Sequence, residues 1–478
     1  MRTERCDVCV IGSGAGGALF AHRAARAGKS VIVVERGPYV RSSEMTDSEF
    51  EMMPRLYKDG GLQTTTSMDL FILQGSCVGG STVLSNMVMM RAAPEVFAEW
   101  NKLGARVDPS EMAACYARIE GEVHSGPVKL ANVAQTTHRF LHGAGQLGIS
   151  AHPMNKALGD CVGCGNCNIG CTFGTKRSAL TTYIPWAEAE GARVLADTEV
   201  ERIERSGSRV RGVIARGTRT GEPIRIEAKQ TVVAAGAIGS SEVLHKSGFR
   251  RNVGTRVSFN AGSMMIGDFE DTLEGFDGDQ MTWFVHGDDV LIEPTHNPLL
   301  LSALTTPGYF GQHGDLMKRQ AHLAYAGALV ATRPTGRVVH SPFWGHEETR
   351  FHAGEDELSR LRRGLRTIGE VFFAAGARRV ILPTHEYCEV RSARELDVLS
   401  RALVSTARFS FATSHPQGGN PMSDDPDVGV VDNDFRAHGT DGLFVCDASV
   451  FPSGVRVNPV ATIMALADYA SSRILAQA

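Results

Sequence analysis

No uninterrupted apolar run in this 478-residue chain approaches the roughly 18 residues that a membrane-crossing helix needs, so a membrane span is not expected. An excess of positive charge is missing too. Lys and Arg number 49 against 53 Asp and Glu, a formal net charge of −4, which leaves nothing to neutralise a phosphate backbone. Nucleic-acid binding is therefore not expected. No charged-then-apolar leader with a small-residue cleavage site precedes the first strand-like run, Cys6 to Ile11. The expected location is cytoplasmic, with export as a folded passenger on a partner as the alternative. Internal repeats, low-complexity tracts and long charge runs are absent as well. What remains is a globular balance, 42% hydrophobic and 21% charged, on a chain too long for one ordinary core. Two packed domains are the default expectation.

The N-terminal segment has the pattern β-loop-α-β. "CDVCVIG" predicts a strand, "SGAGGALFAHRAARAG" a loop entering a helix, and "KSVIVVERG" a second strand. Met52 to Gln74 has weak periodicity and predicts a loop. Residues 93–123 carry helical spacing, and "RVLADTEVERIERSGSRVRGVIAR" predicts a β-meander. "TVVAAGAIGSSEVLHKSG" predicts a buried strand, a glycine turn and a helix. From about 251 to 404 the apolar runs shorten, apart from the helical "EDELSRLRRGLRTIGEVFFAAGA". The end returns to strand-loop-helix. The nucleotide-binding part is therefore expected to be discontinuous, with a substrate-facing insertion.

Gly12, Gly14 and Gly17 stand at the first, third and sixth places of a turn between strand and helix. Gly12 suits the tight turn, Gly14 the close approach of a pyrophosphate, and Gly17 close helix–strand packing. The helix N-terminus favours the phosphate charge. Glu35 ends the next strand, where a carboxylate accepts hydrogen bonds from a ribose. These features point to a dinucleotide without distinguishing FAD from NAD. A second glycine loop, Gly75-Ser76-Cys77-Val78-Gly79-Gly80-Ser81-Thr82, precedes Asn86 and lacks a P-loop lysine. It suits either close backbone approach to a flat or anionic ligand or an ordinary surface loop. Near the end, His415 precedes Pro416 and a glycine pair, and Asn458 precedes Pro459. A histidine is the natural base for an alcohol proton near neutral pH, and a carboxamide can donate to a developing alkoxide. A histidine standing alone is more often structural.

Together "GSGAGG…VVERG", "GSCVGGST", "AAGAIGSSEVLHKSG" and the ending "HPQGG…VDNDFRAHGTDGLFVCDASVFPSGVRVNPVATIMALA" resemble the glucose-methanol-choline oxidoreductases, the ending most specifically. The resemblance implies an α/β fold: a Rossmann-like FAD-binding domain with an inserted substrate domain of antiparallel sheet and helices. The expected boundaries are 1–250 and 405–478 for the FAD part and 251–404 for the substrate part. It implies FAD-dependent oxidation of a small-molecule alcohol to a carbonyl, with His415 as the catalytic histidine and Asn458 as its companion. Glu35 would bind the adenosine ribose, and Asp447 and Ala448 would lie along the phosphate and ribityl chain. Gly79, Gly80 and Asn86 would lie near the isoalloxazine ring, with Val200 a further cofactor-binding position. Two departures stand out. Some members attach flavin through a histidine where this chain has Ser85, so non-covalent FAD is expected. Many members carry a His-Pro pair where this chain has Phe259-Asn260.

Four of the ten cysteines, Cys161, Cys164, Cys167 and Cys171, fall within eleven residues in the glycine-rich stretch 159–177. Their spacing is that of bacterial ferredoxins, with Thr172 where a proline usually follows. The expectation is one 4Fe–4S cluster, or 3Fe–4S if Cys171 is not a ligand. Zinc and free or disulfide-paired thiols are the alternatives. Similar runs occur in relatives resembling long-chain alcohol oxidases and in Fe–S sugar dehydrogenases. A cluster would pass electrons from flavin to a protein or quinone acceptor. The rival expectations are a flavin-only oxidase reducing dioxygen and a non-redox lyase on the same fold.

Overall fold

The computed structural model describes residues 1–287, 289–341 and 346–477. Two sheets organise them. At the centre of the first, Arg2–Ile11 runs parallel to Val31–Val34 on one side and to Pro223–Val233 on the other, with Val10 opposite both Val33 and Val232. Arg193–Leu195 extends one edge. Thr198–Ser206 and Arg209–Gly217 add an antiparallel pair at the other, and Leu443–Val445 joins Pro223–Val233 in parallel. Val31–Val34 is buried throughout, as a strand covered on both faces must be. The helix Ala15–Arg26 follows the glycine turn and packs against the last helix, Val460–Leu475. This is the expected Rossmann-like arrangement.

The second sheet is built around Thr255–Asp268, antiparallel to Leu323–Ala331, which pairs in turn with Val290–Thr295. One face packs on the helix Glu355–Ala374, whose Leu358, Leu361, Leu365, Ile368 and Phe372 recur at helical spacing and are buried. The strands alternate. Ala324, Ala326, Ala328 and Val330 face that helix core, whereas Gly327 and Leu329 face a cavity. Val290 and Ile292 face the core, and Glu293 and Thr295 the cavity.

Two features differ from expectation. The antiparallel sheet is not confined to 251–404, because it also takes in Phe71–Ile72, His152–Pro153 and Ala412–Gly419. The first two are two-residue strands, too short to carry an alternation signal. The expected loop of 52–74 begins inside a helix, Glu49–Leu56, which buries Met52, Met53 and Leu56 despite Pro54. Two turns are too few to establish a period. Among the described residues no helix is long and apolar enough to cross a membrane.

Candidate functional site

A cavity of about 430 Å³ runs from the glycine turn of the first sheet to the open face of the second. Its nucleotide end is shaped by backbone. Gly12 has φ of +98°, and a Cβ there would meet the Ala234 carbonyl oxygen at 2.4 Å. A Cβ on Gly17 would lie 2.1 Å from the Gly12 oxygen, so Gly17 serves helix–strand packing and does not itself line the cavity. Gly14 does line it, with nothing within 4 Å of an added Cβ. The helix that begins there has no side-chain cap, so its first N–H groups are free for an anionic ligand.

Glu35 is buried at the cavity edge. Its carboxylate accepts from Ser13 Oγ at 2.6 Å, from Ser13 N at 3.1 Å and from Gly37 N at 3.0 Å. Burial pushes its acid up, and these hydrogen bonds oppose that shift. Ser13 Oγ also accepts from Gly79 N at 3.0 Å, which ties the second glycine loop to the first. Gly79 is a turn residue with φ of +94° that does not reach the cavity, whereas Gly80 and Asn86 do. Asp447, Ala448 and Val200 line it too. Asp447 accepts from Gly236 N at 2.8 Å, Ser240 Oγ at 2.5 Å and Ser449 N at 2.8 Å, and burial raises its acid. An open glycine cradle, an uncapped helix start and a buried carboxylate at the cavity edge fit a dinucleotide.

At the other end stand His415 and Asn458, which the fold brings to one cavity from different layers. His415 belongs to Ala412–Gly419 in the second sheet, opposite Asn260. Asn458 immediately precedes the last helix, whose N-cap is Pro459. His415 Nδ1 and Asn458 Oδ1 are both buried without a hydrogen-bond partner. Burial pushes the His415 imidazolium down to about 4, so the ring is neutral at pH 7 and can accept a proton.

The cysteine run does not form the expected metal site. Cys161, Cys164, Cys167 and Cys171 surround one pocket, but it holds only about 10 Å³, the room of a single water. Among the described residues no three Cys, His, Asp or Glu side chains are grouped to hold a metal ion. The glycines between the thiols have another use. A Cβ on Gly165 would meet the Phe276 oxygen at 2.6 Å, and one on Gly170 the Met45 Sδ at 2.5 Å, so they let the loop press against neighbouring segments. Buried Lys176 donates to the carbonyls of Val83, Ser85 and Cys167, which pins the cysteine loop to the Gly80–Asn86 segment. The ferredoxin spacing is present, and the ligand convergence and the volume for a cluster are not.

Three cavity residues escape sequence reasoning. Asn168, inside the cysteine run, accepts from Asn86 Nδ2 at 3.2 Å and donates to Asn297 Oδ1 at 3.3 Å, so three carboxamides form one chain along the wall. Glu293 is the third, a carboxyl on an otherwise apolar strand. The spacing Cys-Asn-Ile-Gly-Cys gave no sign that Asn168 turns to the cavity.

The chain matches family models described as GMC oxidoreductase over residues 53–260 and 306–467, and one described as an NAD(P)-binding Rossmann-like domain over 10–67. It is 32% identical over 474 residues to an uncharacterised GMC-type oxidoreductase of Mycobacterium tuberculosis, covering 97% of this chain and 75% of that protein. It is 28% identical over 518 residues to a long-chain-alcohol oxidase of Arabidopsis thaliana, covering 98% of this chain and 67% of that one. The solved structure of pyridoxine 4-oxidase from Mesorbium loti superposes with a TM-score of 0.74 over 98% of both chains at 18% identity, a likeness of fold.

Proposed function

The chain belongs to the GMC oxidoreductase family, and from that premise we propose that it oxidises the CH–OH carbon of an alcohol to a carbonyl, with FAD held non-covalently. The observation that carries this reading is the pair of buried atoms without a hydrogen-bond partner, His415 Nδ1 and Asn458 Oδ1, in a cavity continuous with Gly14 and Glu35. FAD, when bound, supplies the acceptor for the hydride that leaves the carbinol carbon. Neutral His415 accepts the hydroxyl proton. The Asn458 carboxamide donates to the oxygen as charge grows on it. Gly12, Gly14, Gly80, Asn86, Val200, Asp447 and Ala448 would hold the cofactor, with Glu35 on its ribose. Residues 251–404 would supply most of the substrate side. Met264, Met281, Leu301 and Leu329 on that side favour an alcohol with a hydrocarbon body, in keeping with the long-chain-alcohol oxidases it resembles. The described residues of the cysteine loop, as placed, do not fit a cluster, and no part of this reading runs through it.

Two outcomes test the reading. Acid precipitation of the purified protein should release FAD, since Ser85, whose hydroxyl bonds the Thr82 carbonyl, offers no imidazole for a covalent link. Anaerobic addition of 1-decanol should then bleach the visible flavin bands. Flavin that resists every alcohol of a primary and secondary series would count against alcohol oxidation. On readmission of air, peroxide release would identify dioxygen as acceptor. Persistence of reduced flavin would point to an electron-carrier protein or quinone.

Glu35→Ala should weaken FAD binding roughly ten- to hundredfold, because a hydrogen bond to a charged group is worth about 1.5–3 kcal/mol. Titration of apoprotein with FAD, followed by quenching of flavin fluorescence, measures this. Unchanged affinity would remove Glu35 from the cofactor site.

A further inference from the structure

Of residues 161–171, Asn168 alone lines the cofactor cavity, so what the cysteine run brings to it is a carboxamide and not a thiol. Its backbone is anchored on both sides. Tyr57 Oη donates to the Asn168 carbonyl at 2.6 Å. The Lys176 ammonium, buried, donates to the carbonyls of Cys167 at 2.7 Å and Ser85 at 3.0 Å. Those two residues immediately precede Asn168 and Asn86, so one cation sets the spacing of the two carboxamides.

Which end of an amide carries the nitrogen is read from its partners. Here two thioethers decide it, because a thioether sulfur accepts and has no proton to give. Met281 Sδ lies 3.1 Å from Asn86 Nδ2, and Met264 Sδ lies 3.8 Å from Asn297 Nδ2, so both outer amides turn an N–H to sulfur. The middle amide completes the sequence. Asn168 Oδ1 accepts from Asn86 Nδ2 at 3.2 Å, and Asn168 Nδ2 donates to Asn297 Oδ1 at 3.3 Å. Asn86 therefore spends its two N–H groups on Met281 and Asn168. Its Oδ1 is left over, buried and without a partner in a residue that lines the cavity. A buried polar atom of this kind calls for a partner.

We propose that Asn168 is a positioning residue for Asn86: by taking one amide N–H it keeps Asn86 Oδ1 as an acceptor for the imide N–H of the flavin ring. The proposal rests on the FAD reading of the site. The imide is the one ring N–H that oxidised flavin carries, so an acceptor oxygen fits it and a second donor does not. The two orientations of a carboxamide have the same shape and opposite hydrogen-bonding sense. Without Asn168 the Asn86 amide is free to turn over and set N–H against N–H. The cysteine loop thereby has a use that needs no metal, which is to carry Asn168 to the cavity wall.

Asn168→Leu, Asn168→Asp and Asn86→Ala in the full-length protein test this. Quenching of flavin fluorescence measures FAD affinity, and calorimetry measures the affinity for ADP, which has the nucleotide half and no ring. Asn168→Leu should weaken FAD binding roughly three- to tenfold, the worth of one hydrogen bond between neutral groups, and leave ADP binding unchanged. A loop that had simply collapsed would weaken both. Asn86→Ala should show the same loss, and the double variant with Asn168→Leu little more than either alone, since the pair acts through one oxygen. Asn168→Asp keeps an acceptor for Asn86 Nδ2, and Asn297 can turn its own N–H to the new carboxylate, so FAD affinity should stay within about twofold of wild type. Unchanged FAD affinity in Asn168→Leu, an equal loss of ADP affinity, a loss in Asn168→Asp as large as in Asn168→Leu, or additive losses in the double variant would each overturn the positioning role. Wild-type protein that binds ADP and no FAD would sink the FAD reading and the proposal together. Wild-type protein that binds FAD no better than Asn168→Leu does would sink the proposal alone.

Discussion

His415→Ala should slow anaerobic reduction of the flavin by alcohol roughly 10²–10⁴-fold, the usual contribution of a positioned base, while FAD content stays near wild type. The residue is held by its backbone. Its N–H donates to Thr413 Oγ1 at 2.9 Å, and its carbonyl accepts from Gln417 Nε2 at 3.3 Å. Thr413 Oγ1 donates in turn to the Asn260 carbonyl at 2.7 Å, so the strand's register fixes the ring's approach to the cavity. Burial holds the imidazolium down to about 4, and no carboxylate among the described residues offsets it. The sign of the pH dependence follows. The base works when neutral, so the reduction rate should persist on acidification and fall only as pH drops through about 4. Stopped-flow across an acid series measures both effects. A rate in His415→Ala close to wild type would falsify the assignment, and an acid limb near pH 6.5 would show that the ring is not desolvated in the loaded enzyme. Cofactor retention is the control, because Glu35 and Asp447 lie at the other end of the cavity.

Asn458→Ala should cost roughly 10²–10³-fold in the same assay, the cost of removing one donor from a developing oxyanion. Asn458 is 5% exposed, and its segment is fixed where Asn260 Nδ2 donates to the carbonyl of the preceding residue, Val457, at 2.5 Å. The helix that follows is buried along most of its length, so the truncation should leave the melting temperature within a few degrees. Asn458→Asp is the sharper variant. It keeps the shape and presents an anion to an oxygen that is itself becoming negative, so it should be at least as slow as alanine. Activity in Asn458→Asp near wild type would mean that the residue accepts from the substrate rather than donating to it. The His415→Ala, Asn458→Ala double variant should fall well short of the product of the single losses, as groups acting on one transition state do.

The nucleotide end was legible because its chemistry is local. Gly12, Gly14 and Gly17 answer to backbone demands met within one turn, and Glu35 follows at the end of the next strand. His415 and Asn458 were legible only through the wording of the C-terminal segment. Glu293 was not, because one carboxylate in "VLIEPT" resembles any break in an alternating strand. Its meaning depends on a sheet that packs over the start of the last helix, some 165 residues further along the chain. The cysteines show the opposite failure. Their spacing is a one-dimensional quantity, whereas ligation needs four sulfurs converging on one point. The glycines that suggested a wrapped cluster are used instead for close approach to Phe276 and Met45.

The order of strands in the first sheet also sets a timetable. Arg2–Ile11 cannot complete its pairing until Pro223–Val233 has been made, and that strand's outer partner, Leu443–Val445, follows 210 residues later. At about 5–20 residues per second, a ribosome takes roughly 10–40 s to cover that interval. During this time the edge of Thr231–Val233 that awaits Leu443–Val445 has unpaired backbone N–H and C=O groups on a strand of buried valines. The nascent chain thus carries an open strand edge through the second half of its own synthesis. Slower translation of the second half should lower the yield of soluble enzyme, and a co-expressed chaperone that shields strand edges should restore it.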